Sequence, residues 1–266
     1  MQDITTIIFI ILLGIISFGM PISLLIYAIY KNPTSWKPIL VGLLVFIIFS
    51  QILDATLYKI IHTINPHALD KTSNPFITAL YVSLSSSIFQ EVGRYLGFLY
   101  VLKKFRDWKD GIAFGIGHGG IESIFIGGIA SISTLILVLL SHFGFLEIID
   151  QIISISEPDK AGEIMNTKDV IDNQSSSIYF LITLERIFVF IIQIGLSLLV
   201  LYGVKNQKTI YLLYAIYAHT IVYYVPALLL RMNMSEYLQE GYLFIMAIIA
   251  LIFIIKSKAM FARSEP

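Results

Sequence analysis

"GIAFGIGHGGIESIFIGGIASISTLILVLL", residues 111–140, carries only two ionisable side chains, His118 and Glu122. As a helix it would extend about 45 Å, at ~1.5 Å per residue, well beyond the ~30 Å hydrocarbon core of a bilayer. A β-strand crossing would show segments of roughly ten residues that alternate apolar and polar, and this run does not alternate. Comparable runs recur at 4–30, 39–58, 76–102, 178–204, 209–230 and 241–255, and the run quoted above continues to residue 146. The whole chain of 266 residues is 57% hydrophobic and 14% charged, with a mean hydropathy of +0.82, too apolar for an ordinary water-soluble domain. The pattern predicts an all-α polytopic membrane protein, one membrane domain over 1–266, with seven transmembrane helices. A reversal at Gly127–Gly128 within 111–146 would make eight. The first run has no basic stretch before it and exceeds a signal-peptide core, so it is expected to be a true span.

Charge placement orients the chain. "KNPTSWK" (31–37), "KKFRDWK" (103–109), "KNQK" (205–208) and "KSKAMFAR" (256–263) hold most of the Lys and Arg residues. Loops of this kind stay on the cytoplasmic side. Seven crossings then put the amino terminus outside and the carboxyl terminus in the cytoplasm. The acidic, polar segment 147–177 becomes an exterior loop, opening with a short amphipathic interfacial helix that breaks near Pro158. There is no cysteine, which excludes disulfides, thiolate catalysis and cysteine-based zinc sites. The formal net charge of zero gives no indication of a nucleic-acid partner.

The ionisable residues inside the apolar runs are Asp54, Glu91, Arg94, His118, Glu122, Glu185, Arg186 and His219. A central Arg or Asp costs roughly 2.5–3.5 kcal/mol on insertion scales, so each needs a partner or a function. Counting ~1.5 Å per residue from the nearest basic loop, Glu91 lies about 18 Å deep, His118 about 14 Å, Glu122 about 20 Å and His219 about 16 Å. Those four share the middle of the membrane. Glu185 and Arg186 fall near the outer end of their run and read as structural. Asp54, His62 and His67 read as near-interface or loop residues. Glu91 and Arg94 share a helix face, as do His118 and Glu122. Gly111, Gly115 and Gly119 form a ridge of small residues that lets a second helix approach.

"FQEVGRYL" (89–96), "GIAFGIGHGGIES" (111–123), "LERIF" (184–188) and "YAHTIVYYVPA" (217–227), in that order on successive helices, resemble the YhfC family of intramembrane peptidases. That family in turn resembles the glutamic intramembrane proteases that include the CAAX prenyl proteases and PrsW. The resemblance covers nearly the whole chain, and "GHGGIE" is its most specific piece. It implies a metal-independent endopeptidase, with no cofactor, acting on membrane-associated or membrane-spanning peptides. Carried onto this sequence, Glu91 is the base that activates water, His118 its partner on that water, and His219 the oxyanion donor. Arg94 pairs with Glu122 or Glu91, and Glu122 is the reserve base. Two positions depart from the CAAX-type pattern: Gln90 stands where the first of two adjacent glutamates is found, and Tyr223 stands four residues after His219 where that pattern has Asn or another polar side chain.

Other readings of the same residues stay open. Glu91 and Arg94 form a self-neutralising structural pair, and His118 with Glu122 makes a structural hydrogen bond or ligates zinc, although "HGGIE" is not the His-Glu-x-x-His of a zincin. A proton-coupled transporter would also use midplane charge, but the two halves show no matching broken helices. A catalytically inactive scaffold or immunity factor of the same fold is the third class. The topology is checked with reporter fusions: after Lys109 and after Arg263 they should read cytoplasmic, and within 157–175 exterior. A cytoplasmic signal from 157–175 overturns the seven-crossing arrangement.

Overall fold

The computed structural model describes residues 3–65, 74–156 and 162–263, and every regular element among them is helical. The helices are α1 (Ile4–Lys31), α2 (Trp36–Ile64), α3 (Pro75–Leu96), α4 (Trp108–His142), α5 (Phe145–Ser156), α6 (Glu163–Asn173), α7 (Ser176–Lys205), α8 (Ile210–Arg231) and α9 (Glu236–Arg263). Wider π turns interrupt α2 at Phe46–Asp54 and α4 at Ile124–Gly128, and another, Gly97–Val101, prolongs α3. His67 lies outside the described residues.

Six of these helices are long and apolar enough to cross a bilayer: α1, α2, α4, α7, α8 and α9. The run at 76–102 is helical as well, but its serines and the Gln90, Glu91 and Arg94 side chains lower its hydropathy. The chain does not reverse at Gly127–Gly128. Both glycines lie in the π turn, and the helix runs on to His142. Helix starts follow local chemistry. The Asn74 side chain accepts from the backbone N–H of Phe76 (2.9 Å) and of Ile77, with Pro75 at the first helical position. At the start of α4 the Asp110 carboxylate accepts from the Asp107 N–H at 3.0 Å.

The chain forms two compact units, one of 1–19 with Ser123–Arg186 and one of Met20–Glu122 with Ile187–Pro266. In the first, Ile10, Val138 and Tyr179 form the buried centre. Gly144 (φ +72°) turns the chain from α4 into α5, and Gly162 (φ +82°) precedes α6. The helix expected after residue 147 is α5; α6 is an addition that its polar composition concealed. Lys168 on α6 donates to Glu147 on α5 at 2.6 Å and holds that carboxyl below the usual carboxylate range. Glu185 and Arg186 pair with each other.

The second unit holds the deep polar residues. Its α3 lies along α8, and α9 packs on α8. The expected glycine ridge meets α7: a Cβ on Gly115 would lie 2.6 Å from the Ile194 Cα, one on Gly119 3.0 Å from the Gln193 Cβ, and one on Gly111 2.7 Å from Leu198. On another side of α4, Gly117 rests on the backbone carbonyl of Ile39, and Gly42 of α2 rests on that of Phe114. Close approach here is backbone against backbone, so no side chain can yield.

Gly117→Ala should therefore destabilise the protein by about 1–3 kcal/mol, as overpacking does. Gly241→Ala, on α9 with open space around it, should be neutral or stabilise by up to about 1 kcal/mol through helix propensity. Thermal unfolding in detergent compares the two, and equal melting temperatures would refute the close contact.

Candidate active site

Glu91 and Arg94 come from α3, His118 and Glu122 from α4, and His219 from α8. The structure brings all five together within one unit. Gly111, Gly115 and Gly119 bring α4 close to α7, and Gly117 brings it close to α2. Glu91, Arg94, His118 and His219 have no exposed surface, and Glu122 is 3% exposed.

Glu91 is held on one oxygen. Its Oε1 accepts from Nδ1 of His219 at 2.5 Å and faces the Arg94 guanidinium at 3.1 Å. Its Oε2, enclosed, has no hydrogen-bond partner among the described residues, and neither does Nε2 of His219. The imidazole joined to Glu91 is thus His219, expected from sequence as the oxyanion donor. His118 instead places Nε2 against Oε1 of Gln90 at 3.0 Å. The Gln90 amide nitrogen donates to Ser86 Oγ at 3.0 Å, which turns its carbonyl toward His118 and puts the imidazole proton on Nε2. Phe46 meets the His118 ring edge-on, with centroids 5.4 Å apart, and Phe114 stacks near it.

Glu122 is occupied on both oxygens. Tyr223 donates to Oε1 at 2.6 Å, and Gln193 donates to Oε2 at 2.5 Å. Arg94 therefore pairs with Glu91, and it reaches Glu122 only through Gln193, whose carbonyl accepts from the guanidinium. Glu91 has the Arg94 guanidinium and His219 beside it, and Glu122 has the donors Tyr223 and Gln193. That is how buried charge is tolerated.

Gln193 was not among the residues singled out by sequence. It is the hub of the site, touching Arg94, Glu122, Tyr223 (3.1 Å) and Gln90 (3.5 Å). A signal was present: it is an amide within an apolar run, twelve positions before Lys205, hence about 18 Å deep, the same depth as Glu91. Tyr223, noted only as a departure, fixes the Glu122 carboxylate. Asp54 lies apart from the buried group and accepts from Ser85 Oγ at 2.6 Å, and His62 stacks on Tyr58.

Among the described residues no three His, Cys, Asp or Glu side chains are grouped to hold a metal ion. The Arg94 guanidinium faces Glu91, both Glu122 oxygens accept hydrogen bonds and His118 Nε2 faces an amide, which leaves Glu91 Oε2, His118 Nδ1 and His219 Nε2 without a hydrogen-bond partner among the described residues.

The chain matches the family described as "YhfC intramembrane metalloprotease" over residues 12–253. It is 33% identical over 257 residues to a Bacillus subtilis (strain 168) protein named "Uncharacterized membrane protein YhfC", covering 96% of this chain and 97% of that one. No solved structure matches. On the extent of both matches, the chain belongs to the YhfC intramembrane metalloprotease family.

Proposed function

We propose that the protein is a glutamic-type intramembrane endopeptidase, working as one membrane domain over 1–266, in which Glu91 activates water without a metal. One observation carries the reading: a buried carboxylate has one oxygen fixed by His219 and Arg94 and the other free. The free oxygen Oε2 is positioned to take a proton from water, while the fixed one prevents the carboxylate from rotating away. The water oxygen then bonds to the carbonyl carbon of a peptide. The C–N bond breaks, and the proton held by Glu91, or passed to His219, goes to the leaving nitrogen. His118, whose Nε2 proton rests on the Gln90 carbonyl, donates to the developing oxyanion by exchanging that contact for the substrate. Glu122, with no free oxygen, is better suited to position Gln193 and Tyr223 than to act as base.

The family's description names a metalloprotease, and the donor arrangement favours the metal-free alternative. Substrates are membrane-embedded or membrane-associated peptides, since the site lies about 14–20 Å from the basic loops by helix rise. Because the reactive residues are enclosed, a peptide reaches them only when helices part.

The reading includes seven crossings with the amino terminus outside and the carboxyl terminus cytoplasmic. Support for α3 as the seventh comes from its two faces. Ile77, Leu80, Leu84 and Ile88 are exposed in one stripe, whereas Ser83, Ser87, Gln90, Glu91 and Arg94 are buried. A helix with apolar residues outward and polar residues inward suits lipid surroundings.

In a turnover assay on folded protein, Glu91→Gln should abolish cleavage of membrane peptides and His219→Ala should nearly do so. His118→Ala should lower turnover by roughly two to three orders of magnitude, the usual cost of losing an oxyanion donor. Glu122→Gln should keep most activity and lose stability. An active Glu91→Gln with a dead Glu122→Gln moves the base to Glu122. Cleavage should also survive 1,10-phenanthroline; inhibition by the chelator that zinc reverses would return the reaction to a metal.

A further inference from the structure

Asp54 takes no part in the buried group, yet it is a carboxylate toward the end of an apolar span, where a charge calls for a partner or a function. Its hydrogen-bond donor is a hydroxyl, Ser85 Oγ at 2.6 Å, and no cationic side chain among the described residues forms an ion pair with it. It lines a cavity of about 290 Å³ together with Ser50, Gln51, Tyr58 and Tyr81. The rim residues Gln51 and Tyr58 are exposed, so the cavity opens at the surface of the helices. Its volume lies at the bottom of the roughly 300–1,000 Å³ range of ligand pockets, suited to one side chain rather than a whole ligand. The lining offers a carboxylate, an amide carbonyl, hydroxyl oxygens and two tyrosine rings. Those groups suit the N–H donors and positive charge of an ammonium or guanidinium.

The cavity is also connected to the site. The amide of Gln90 donates to Ser86, the neighbour on α3 of the Ser85 that donates to Asp54, and the Gln90 carbonyl accepts from His118. Along α3, Ser85 precedes Glu91 by six positions, about 9 Å of helix rise. That distance equals about three residues of extended peptide at ~3.3 Å each.

We infer that the Asp54 cavity is a subsite for the Lys or Arg side chain of a membrane-embedded peptide, about three residues from the bond presented to Glu91. The distance to the cleaved bond rests on the hydrolytic reading above; the binding does not.

The test uses the full chain in detergent, carrying Glu91→Gln so that binding is read without turnover. The probes are fluorescein-labelled Leu/Ala transmembrane peptides of about 20 residues, with a single Lys moved stepwise, and the same peptides with norleucine or Nε-acetyl-lysine. At one register the Lys peptide should bind about tenfold more tightly than either neutral peptide, a difference of about 1.4 kcal/mol. Adding Asp54→Asn should remove that preference and leave norleucine binding unchanged. Equal binding of Lys and neutral peptides at every register overturns the subsite, as does a Lys preference that survives Asp54→Asn. Should Asp54→Asn fail to fold, the acetyl-lysine comparison decides on its own. Sodium chloride and choline chloride at equal ionic strength should weaken Lys binding equally. Asp54-dependent sodium binding with no peptide preference assigns the cavity to an inorganic cation and overturns the proposal. Failure of the parent protein to cleave any peptide would remove the peptidase reading and leave the measured subsite in place.

Discussion

The guanidinium of Arg94 is fully buried, so its charge has to be compensated from within the protein. It faces Glu91 at 3.1 Å and donates to Gln193, whose amide donates in turn to Glu122. In a bilayer interior this requirement is strict, because removing one partner of a buried ion pair costs about 3–5 kcal/mol and leaves an uncompensated charge. Helices α3, α4, α7 and α8 must therefore meet at one level and in one rotation. The polar side chains act as registration marks, where apolar packing alone would tolerate a slide or a turn.

That registration depends on how closely the backbones approach. Gly115 and Gly119 bring α4 against α7 at Ile194 and Gln193, and Gly117 with Gly42 brings α4 against α2. Without side chains at those positions the α4 backbone sits near enough for the short reach of Glu122 to Gln193 and of His118 to Gln90. The small residues and the polar ones are thus parts of one arrangement. The glycines set the distance, and the hydrogen bonds use it.

The same closeness shapes the chemistry. Two carboxylates in one enclosure are distinguished by their hydrogen bonds: Glu122 is satisfied on both oxygens, and Glu91 on one. Two like groups thereby stand in unequal surroundings. In the hydrolytic reading proposed above, the unused oxygen of Glu91 and the unused Nε2 of His219 are the groups that act, held in a region where unsatisfied groups are otherwise costly.

Long apolar runs were sufficient to read the membrane class and the helices from sequence, since the hydrocarbon core demands about twenty apolar residues for each crossing. Basic loops supplied an orientation, and helix rise placed Glu91, His118, Glu122 and His219 at a common depth. Pairing was not legible. Helix rise gives height and face along one helix, but nothing about which neighbour stands opposite. The imidazole on Glu91 is His219 because α3 lies along α8; His118 on α4 meets Gln90 instead. Gln193, without charge, gave no electrostatic signal, although its depth matched. The continuity of α4 through Gly127–Gly128 was equally hidden, because glycines that could turn a chain also fit a π turn within a helix. What the sequence determined by itself was the solvent each segment must occupy, a property that composition carries locally. Which carboxylate kept a free oxygen was decided only by tertiary structure, because it depends on contacts between residues about a hundred positions apart.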